Sequence, residues 1–446
     1  MSSKNTELLA NFLKITLEME NSKKIQESIH SFLKIFDSSK SKNDDDKDED
    51  KDFDTLRKET SFFNSQDMGK SGAKVGLIKS NRGLEFIMKY YKLNKSKKYQ
   101  TEYAANCVKF YHPFNELIVN SIFSNLDLFL TPAKYKIFQA KYRNYFIDVK
   151  RIGIHSDNSF MILEKVGVNY GDKYYTNLYE IIKNNYCPLL KHYMVDMGES
   201  GDNSTLDEFL AIFVSILEKY FSCLKFLNQN LGFIHTDLKC KNVFVRTGLE
   251  MEMEMGSGTR TQGGFIVNYT PLIADLDKAT LEINQVKILP LPNKLASTFV
   301  KLKNTKYSKL YEIRNSCKRN TRLCNKFKSY QYDIIVLLYD IYTLFYINVF
   351  KKINVDLRIY LQKLNILNKF VRKTLNLNQE KFEIFHNRII HKFFLKYYEH
   401  KTISIHVNTM VYYLCKNLHK ATAKAKVKTT VKANKKKKMS KKKKKS

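Results

Sequence analysis

The sequence predicts an α+β fold in which a small antiparallel-sheet lobe is followed by a larger helical lobe. Up to about residue 166, apolar residues occur in short runs that are typical of strands. Residues 206–230 instead carry a wide apolar stripe at helical spacing, which indicates one long packed helix. The hydrophobic fraction of 43% supports a packed core and excludes global disorder. Two lobes of different type would leave a cleft between them, where ligands commonly bind.

The predicted small lobe covers residues 60–166. Its first two strands form a hairpin around the turn Asn81-Arg82-Gly83. A helix with one apolar face follows, and two more strands complete the lobe. In chain order, these elements are expected at 73–80, 84–91, 114–126, 144–153 and 159–166.

The predicted large lobe covers residues 167–419 and begins with the long helix. A low-complexity insertion at 248–265 alternates Glu and Met before it turns to Gly, Ser and Thr, which indicates a surface loop between strands. The most apolar segment runs from Asp333 to Phe350 and is interrupted by Asp340. We therefore expect a buried core helix there and no membrane span.

Three segments outside the two lobes have distinct compositions. Residues 1–37 carry apolar side chains at helical spacing and are expected to form an amphipathic helical segment. Residues 38–59 are rich in Asp and form a predicted disordered linker. Residues 420–446 contain 14 lysines and no acid, and they are expected to be a disordered tail. This tail carries much of the net charge of +33 and leaves about +19 on the preceding residues.

The tail has the composition of a non-specific binder of nucleic acid or another polyanion, and a nuclear-import signal is an equal alternative. No aromatic residue interrupts it, so stacking on bases is not indicated. Seven cysteines without a CxxC pair favour a reduced compartment, and residues 1–7 lack the start of a secretory signal. We therefore expect an intracellular protein of the cytoplasm or nucleus.

Residues 232–245 combine three side chains that suit phosphoryl transfer. Asp237 can accept a hydroxyl proton, Lys239 can neutralise a transferring phosphoryl group, and Asn242 can hold a divalent metal. Downstream, Asp275 ends an apolar strand, where its carboxylate is a suitable oxygen ligand for Mg²⁺. Helix capping would explain a lone Asp, but it does not explain all three side chains at this spacing.

The run His235-Thr236-Asp237-Leu238-Lys239-Cys240-Lys241-Asn242 resembles the catalytic loop of the eukaryotic-type protein kinase family. The resemblance extends over approximately residues 60–354 and implies a bilobal, protein kinase-like fold. It further implies transfer of the γ-phosphoryl group of ATP, with Mg²⁺, to Ser or Thr hydroxyls of protein substrates. The divergent loops and the composition are similar to kinases of large DNA viruses, which implies the host cell or the virion as the location of a viral protein.

The resemblance also implies roles for individual residues. Asp237 would orient the nucleophile and accept its proton, and Lys239 would stabilise charge on the transferring group. Asn242 and Asp275 would hold Mg²⁺. Asp333 would open a buried helix and bind backbone amides of the catalytic loop.

Upstream, the resemblance points to residues that would bind the nucleotide. Lys89 ends the run Phe86-Ile87-Met88-Lys89, which looks like the family's Val-Ala-Ile-Lys strand, and would hold the α- and β-phosphates. Glu116 is the helix acid that would pair with it. Glu164 lies at the position of the family's hinge, which binds adenine through backbone groups.

The expected phosphate-binding loop departs from the family pattern. Gly69, Gly72 and Val75 lie between the first two expected strands, where small residues let backbone amides approach phosphates. The family's Gly-x-Gly-x-x-Gly is incomplete here in every register.

Other departures leave two alternatives open. Asp275-Leu276-Asp277 replaces Asp-Phe-Gly and is similar to a motif of choline and aminoglycoside kinases, although these usually lack Lys239. The incomplete glycine loop is also typical of a pseudokinase scaffold without activity. Thr236 replaces an Arg that normally receives an activation-loop phosphate, so we expect activity without such phosphorylation.

Overall fold

The computed structural model describes fifteen stretches of the chain. Gly69, Gly72 and the predicted segments 1–37, 38–59 and 420–446 lie outside them. The described residues are 61–62, 73–79, 83–92, 102–104, 107–110, 112–155, 158–195, 204–248, 261–262, 265–266, 268–283, 286–290, 330–353, 363–375 and 382.

A five-stranded antiparallel sheet forms the first part of the fold, with strand order β1-β2-β3-β7-β6. The predicted hairpin is present, with Val75 opposite Lys89. The strand predicted from residue 144 is wrong at its start, because pairing with its neighbour begins only at Val149, opposite Leu163. The strands are β1 Ser61–Phe62, β2 Ala73–Lys79, β3 Glu85–Lys92, β6 Val149–His155 and β7 Asn158–Glu164.

Two helices lie between the strands of this part. Helix α1 (His112–Ser124) matches the prediction to within two residues. Helix α2 (Pro132–Lys141) was not predicted, because it is exposed and buries only Phe138, so its apolar periodicity is weak. Its start does carry a signal, since proline is favoured in the first turn of a helix.

Strands also occur beyond residue 166, where mainly helices were expected. A four-stranded sheet has the order β14-β15-β5-β4, and β15 pairs in parallel with β5, so this sheet is not purely antiparallel. The remaining strands form three antiparallel pairs, β8 with β9, β10 with β13 and β11 with β12. The strands are β4 Glu102–Ala104, β5 Cys107–Phe110, β8 Val168–Tyr170, β9 Lys173–Tyr175, β10 Val243–Thr247, β11 Thr261–Gln262, β12 Phe265–Ile266, β13 Tyr269–Ile273, β14 Leu281–Ile283 and β15 Val286–Pro290.

The helices of the second part contribute buried side chains to the core. The long predicted helix is α5, and the segment after Asp333 forms the buried helix α6, whose side chains Ile334, Leu337 and Ile341 are almost inaccessible. No described helix is long and apolar enough to cross a membrane. The helices are α3 Leu178–Ile181, α4 Cys187–Val195, α5 Ser204–Leu231, α6 Tyr330–Phe345, α7 Lys351–Ile353 and α8 Asn365–Leu375.

One large hydrophobic cluster joins α1, α5, α6 and α8 with strands β10 and β13. A smaller cluster, built around Met88 and Phe160, covers part of the five-stranded sheet. The described residues thus combine helices with largely antiparallel sheets, as the α+β prediction stated. The arrangement in two lobes and the domain boundaries stay predictions.

Candidate active site

The loop that follows α5 is set by the way this helix ends. Gly232 has a φ of 56°, a left-handed conformation that glycine adopts without cost, and its N–H donates to Asn228 O at 2.9 Å. The Asn228 side chain donates to Phe233 O, also at 2.9 Å, and Phe233 is buried. The chain therefore leaves the helix in a fixed direction toward His235.

Asp333 anchors the next two residues of the loop. Its carboxylate accepts hydrogen bonds from the backbone N–H groups of His235, at 2.7 Å, and Thr236, at 2.9 Å. Asp333 is 1% exposed, and this burial raises the pKa of its carboxyl to about 6. The prediction that Asp333 binds backbone amides of this loop is confirmed.

A second set of contacts joins the loop to residues 274–280. The buried His235 ring places Nε2 2.7 Å from Ala274 O. Ile234 and Thr280 exchange two backbone hydrogen bonds, at 3.0 and 2.8 Å. The loop and the segment around Asp275 are therefore held side by side, although about 40 residues separate them in the sequence.

Asp237 lies at the centre of a group of polar side chains. Lys278 Nζ makes an ion pair with its Oδ2, and Lys239 Nζ is 3.5 Å from the same atom. The buried Asn242 donates from Nδ2 to the backbone oxygen of Asp237 at 2.9 Å. The structure thus brings together the three predicted side chains of the loop, and it adds Lys278. The only sequence signal for Lys278 was its position directly after Asp275-Leu276-Asp277.

Lys89, Glu116 and Asp275 form a second group. Lys89 Nζ is 2.7 Å from Glu116 Oε1 and 3.1 Å from Asp275 Oδ1. The Tyr91 hydroxyl donates to Glu116 Oε2. Burial alone would lower the pKa of Lys89, but the neighbouring carboxylates, led by Glu116, raise it well above its usual range. Lys89 therefore stays charged at neutral pH.

The carboxyl of Asp275 is held in its ionised form. Burial favours the protonated acid, but the ammonium groups of Lys89 and Lys278 outweigh it and lower the pKa of Asp275. Asp277 behaves in the opposite way, since burial and the charge of Asp275 raise its pKa. The pKa values of two carboxyls that are two residues apart are thus shifted in opposite directions.

The turn after Asp275 does not require the glycine of the kinase pattern. Asp275 has a φ of 56°, and among the described non-glycine residues only Thr236 shares this left-handed conformation. The φ of Asp277 is therefore not positive, and this position does not need the backbone freedom of glycine. The buried Asn115 side chain donates to the backbone oxygens of Asp277, at 3.1 Å, and Ala279, at 2.9 Å. Helix α1 thereby holds the turn Leu276–Lys278 in place.

The remaining predicted residues lie elsewhere on the five-stranded sheet. Glu164 ends β7, where its side chain accepts from the Asp148 N–H at 2.6 Å and pairs with Arg246. Val75 is on β2 beside Lys89. Glu164 therefore ties this sheet to β10.

The oxygen donors present fit Mg²⁺. The described part of the chain has no cluster of three His, Cys, Asp or Glu side chains that could hold a metal by itself. Mg²⁺ is commonly held by one or two carboxylates together with substrate phosphates and water, so it does not require such a cluster. The ionised Asp275 and the amide oxygen of Asn242 would be its protein ligands.

Comparison with known proteins finds likeness at the level of structure alone. No family model matches the sequence, and no curated protein matches it. Among 402 matching chains of solved structures is the crystal structure of a kinase domain, with 16% sequence identity and a TM-score of 0.26. The match covers 51% of this chain and 52% of that chain, so each is matched over about half its length.

Proposed function

We propose that the protein is a phosphotransferase of the protein kinase type, which transfers the γ-phosphoryl group of ATP to Ser or Thr hydroxyls of proteins. The observation that carries this proposal is the contact of Lys89 with both Glu116 and Asp275. These three residues come from a sheet strand, a helix and a turn, and they were assigned to the nucleotide and its metal from the sequence.

The residues of the first group bind the donor. Mg²⁺-bound ATP supplies the phosphoryl group and a good leaving group. Lys89 binds the phosphates as a fixed cation, and Glu116 keeps its ammonium group in position. Asp275 and Asn242 would hold the metal through oxygen. Although Asp275 is buried, the ammonium groups of Lys89 and Lys278 lower its pKa, so its carboxyl would already be ionised in that role.

The residues of the second group act on the acceptor. Asp237 orients the acceptor hydroxyl and accepts its proton. Lys239, 3.5 Å from Asp237, neutralises charge that develops on the transferring group. Asn242 keeps Asp237 in place through its backbone oxygen.

Asp277 is relevant to the small-molecule kinase alternative, in which the second acid of Asp-x-Asp also approaches the metal. Here the side chain of Asp277 is buried, and burial together with the charge of Asp275 raises its pKa. Lys239, which those kinases usually lack, is present 3.5 Å from Asp237. The position of Lys239 favours the protein kinase reading.

The proposal is tested with the full chain, radiolabelled ATP and a panel of acceptors. The panel holds acidic and basic model proteins, choline and an aminoglycoside. Incorporation into a protein supports the proposal, and incorporation into choline or the aminoglycoside alone supports the small-molecule alternative. Incorporation into no acceptor, together with no thermal shift by Mg²⁺ and ATP, would exclude both enzymatic readings and leave the pseudokinase.

The role of Asp237 is tested by Asp237→Asn, with Asp207→Asn on the exposed face of α5 as the matched control. Loss of a general base lowers the rate by about 10²- to 10⁴-fold, while the thermal shift by Mg²⁺ and ATP is retained. Asp207→Asn should leave the rate unchanged. Wild-type activity of Asp237→Asn would overturn the assignment of the base.

A further inference from the structure

We infer that the acceptor is an acidic protein segment, whose Ser or Thr is flanked by negative charge, and that Lys278 binds that charge. This inference rests on the proposed function and names its substrate class. It starts from the ion pair of Lys278 with Asp237, the group proposed to receive the acceptor hydroxyl. A side chain that touches Asp237 lies within reach of residues next to that hydroxyl.

Lys278 is held firmly from its backbone. The Thr236 hydroxyl donates to Lys278 O at 2.7 Å, and Lys278 ends the turn that Asn115 fixes from α1. The direction from which the Lys278 side chain reaches Asp237 is therefore set by the fold. A preformed cation binds a charged partner without first losing much conformational entropy.

The accessible part of this site is cationic. The side chains of Lys278 and Lys239 are 33% and 32% exposed, whereas Asp237 between them is 15% exposed. Of the other acids close to Lys278, Asp277 is buried, and Asp275, whose side chain is 29% exposed, already pairs with the ammonium group of Lys89 at 3.1 Å. An approaching segment therefore meets two ammonium groups before it meets the carboxylate.

Two further lysines extend the cationic surface beside the loop. Lys241, in the turn that follows Lys239, places Nζ 4.6 Å from the ring centre of Tyr179. Lys183 places Nζ 5.6 Å from the centre of the same ring. Both lysines are exposed. Because the ring orients them without neutralising their charge, they add to the attraction for an acidic segment.

Lys239 and Lys278 can have different roles because both of these cations contact Asp237. Lys239 serves the transferring phosphoryl group in the proposed mechanism, so its charge is used by the donor. Lys278 is the additional cation at Asp237, and the hydroxyl that hydrogen-bonds to Asp237 brings the flanking residues of the acceptor beside it. A carboxylate or a phosphate can each satisfy this ammonium group through a charge-assisted hydrogen bond.

The test compares peptides that share one Ser acceptor and differ in their flanks: Asp and Glu, phosphoserine, Asn and Gln, or Lys and Arg. We expect kcat/KM to be about 10- to 100-fold higher with acidic than with neutral flanks, as one or two charge-assisted hydrogen bonds provide. The carboxylate and phosphoserine arms identify which source of charge is preferred. The preference should weaken as salt is raised, because exposed charges are screened.

Variants assign the preference to Lys278. Lys278→Met should remove most of it, Lys278→Arg should restore it, and Lys278→Glu should favour basic flanks. Lys287→Met is the matched control, since this lysine on β15 is 27% exposed and pairs with Glu282 at 3.6 Å. Lys241→Glu gives a second readout if the Lys278 variants fold poorly, and it should lower the preference in part.

The outcomes separate the inference from the proposed function. Transfer to protein or peptide without an acidic preference would overturn the inference and leave the proposed function intact. An acidic preference that Lys278→Met and Lys278→Glu both retain would overturn the role of Lys278. Absence of transfer to every peptide and protein, with or without binding of Mg²⁺ and ATP, would overturn both.

Discussion

The backbone N–H of Thr236 donates to Asp333 Oδ1 at 2.9 Å, and Thr236 has a φ of 66°. A β-branched residue in the left-handed region is strained by about 1–3 kcal/mol. The strain is offset by contacts on both sides of the residue, the bond to Asp333 and the bond from the Thr236 hydroxyl to Lys278 O. This residue therefore joins the loop of Asp237 to the turn of Asp275.

Replacing Thr236 by valine or serine separates the hydroxyl from the shape of the side chain. Thr236→Val keeps the branching and deletes the bond to Lys278 O, so we expect a loss of about 1 kcal/mol in the free energy of unfolding. Activity should fall as well, because Lys278 is less well held. Thr236→Ser keeps the hydroxyl and should be close to wild type. Urea unfolding and transfer assays measure both, and equal behaviour of the two variants would contradict this role.

The same contacts predict activity without phosphorylation. The bonds from Thr236 to Lys278 and between Ile234 and Thr280 hold residues 278–280 without an added phosphate. Protein treated with a phosphatase should therefore transfer phosphate as fast as untreated protein. Mass spectrometry verifies that the treated sample carries no phosphate. A requirement for a phosphorylated residue would show that these bonds do not suffice.

The sequence predicted those parts of the fold and site that depend on local patterns. Short sequence patterns were enough to predict the hairpin around Gly83, helix α5 and the loop from His235 to Asn242. The contact of Lys278 with Asp237 and the pairing of β15 with β5 could not be predicted. They join residues that are far apart in the sequence, and no single residue type marks them. Helix α2 was missed because it buries almost nothing.

The ion pair of Lys89 and Glu116 is expected to be strongly coupled. In Glu116→Ala, the buried ammonium group of Lys89 keeps Asp275 as its one remaining carboxylate contact among the described ion pairs. Because a buried charge has then lost a partner, the variant should be less stable by about 3 kcal/mol. Lys89→Met retains the volume and leaves Glu116 bonded to the Tyr91 hydroxyl, so its cost should be smaller.

A double-mutant cycle measures this coupling by urea unfolding. In Lys89→Met combined with Glu116→Ala, both charges of the pair are removed together, so neither is left without the other. The double variant should be more stable than the sum of the single effects predicts, by about 1–3 kcal/mol. Additive effects, within about 0.5 kcal/mol, would show that the two side chains do not interact in solution.

Asp333 is expected to make the folded protein less stable as the pH rises from about 4 to about 6. Burial raises the pKa of its carboxyl from 3.8 to about 6, so between these values the folded state keeps a proton that the unfolded state has released. The free energy of unfolding therefore falls with rising pH, by about 3 kcal/mol at about 1.36 kcal/mol per pKa unit.

Asp333→Asn removes this contribution. Urea unfolding of wild type and variant across this pH range gives the difference between their free energies of unfolding. The titration of the other carboxyls contributes equally to both proteins and therefore cancels in this difference. The advantage of the wild type over the variant should shrink as the pH rises. A difference that stays constant with pH would contradict the raised pKa of Asp333.

Gly232 and Gly171 form a matched pair for the turn that precedes the loop, since their φ values are 56° and 55°. A Cβ at Gly171 would meet nothing within 4 Å, so Gly171→Ala should cost only the left-handed conformation, about 1–2 kcal/mol. A Cβ at Gly232 would lie 2.5 Å from Glu282 Cβ and 3.0 Å from Glu282 N. Gly232→Ala should therefore cost about 1–3 kcal/mol more than Gly171→Ala.

The extra cost should also affect activity, because Glu282 lies in β14, two residues after Thr280, which is bonded to Ile234. Gly232→Ala must displace β14 and with it the segment that holds Lys278, whereas Gly171→Ala leaves that segment untouched. Adding Glu282→Gly to Gly232→Ala removes the closer of the two contacts and should restore part of both stability and activity. Equal losses in Gly232→Ala and Gly171→Ala would show that β14 does not lie against Gly232 in solution.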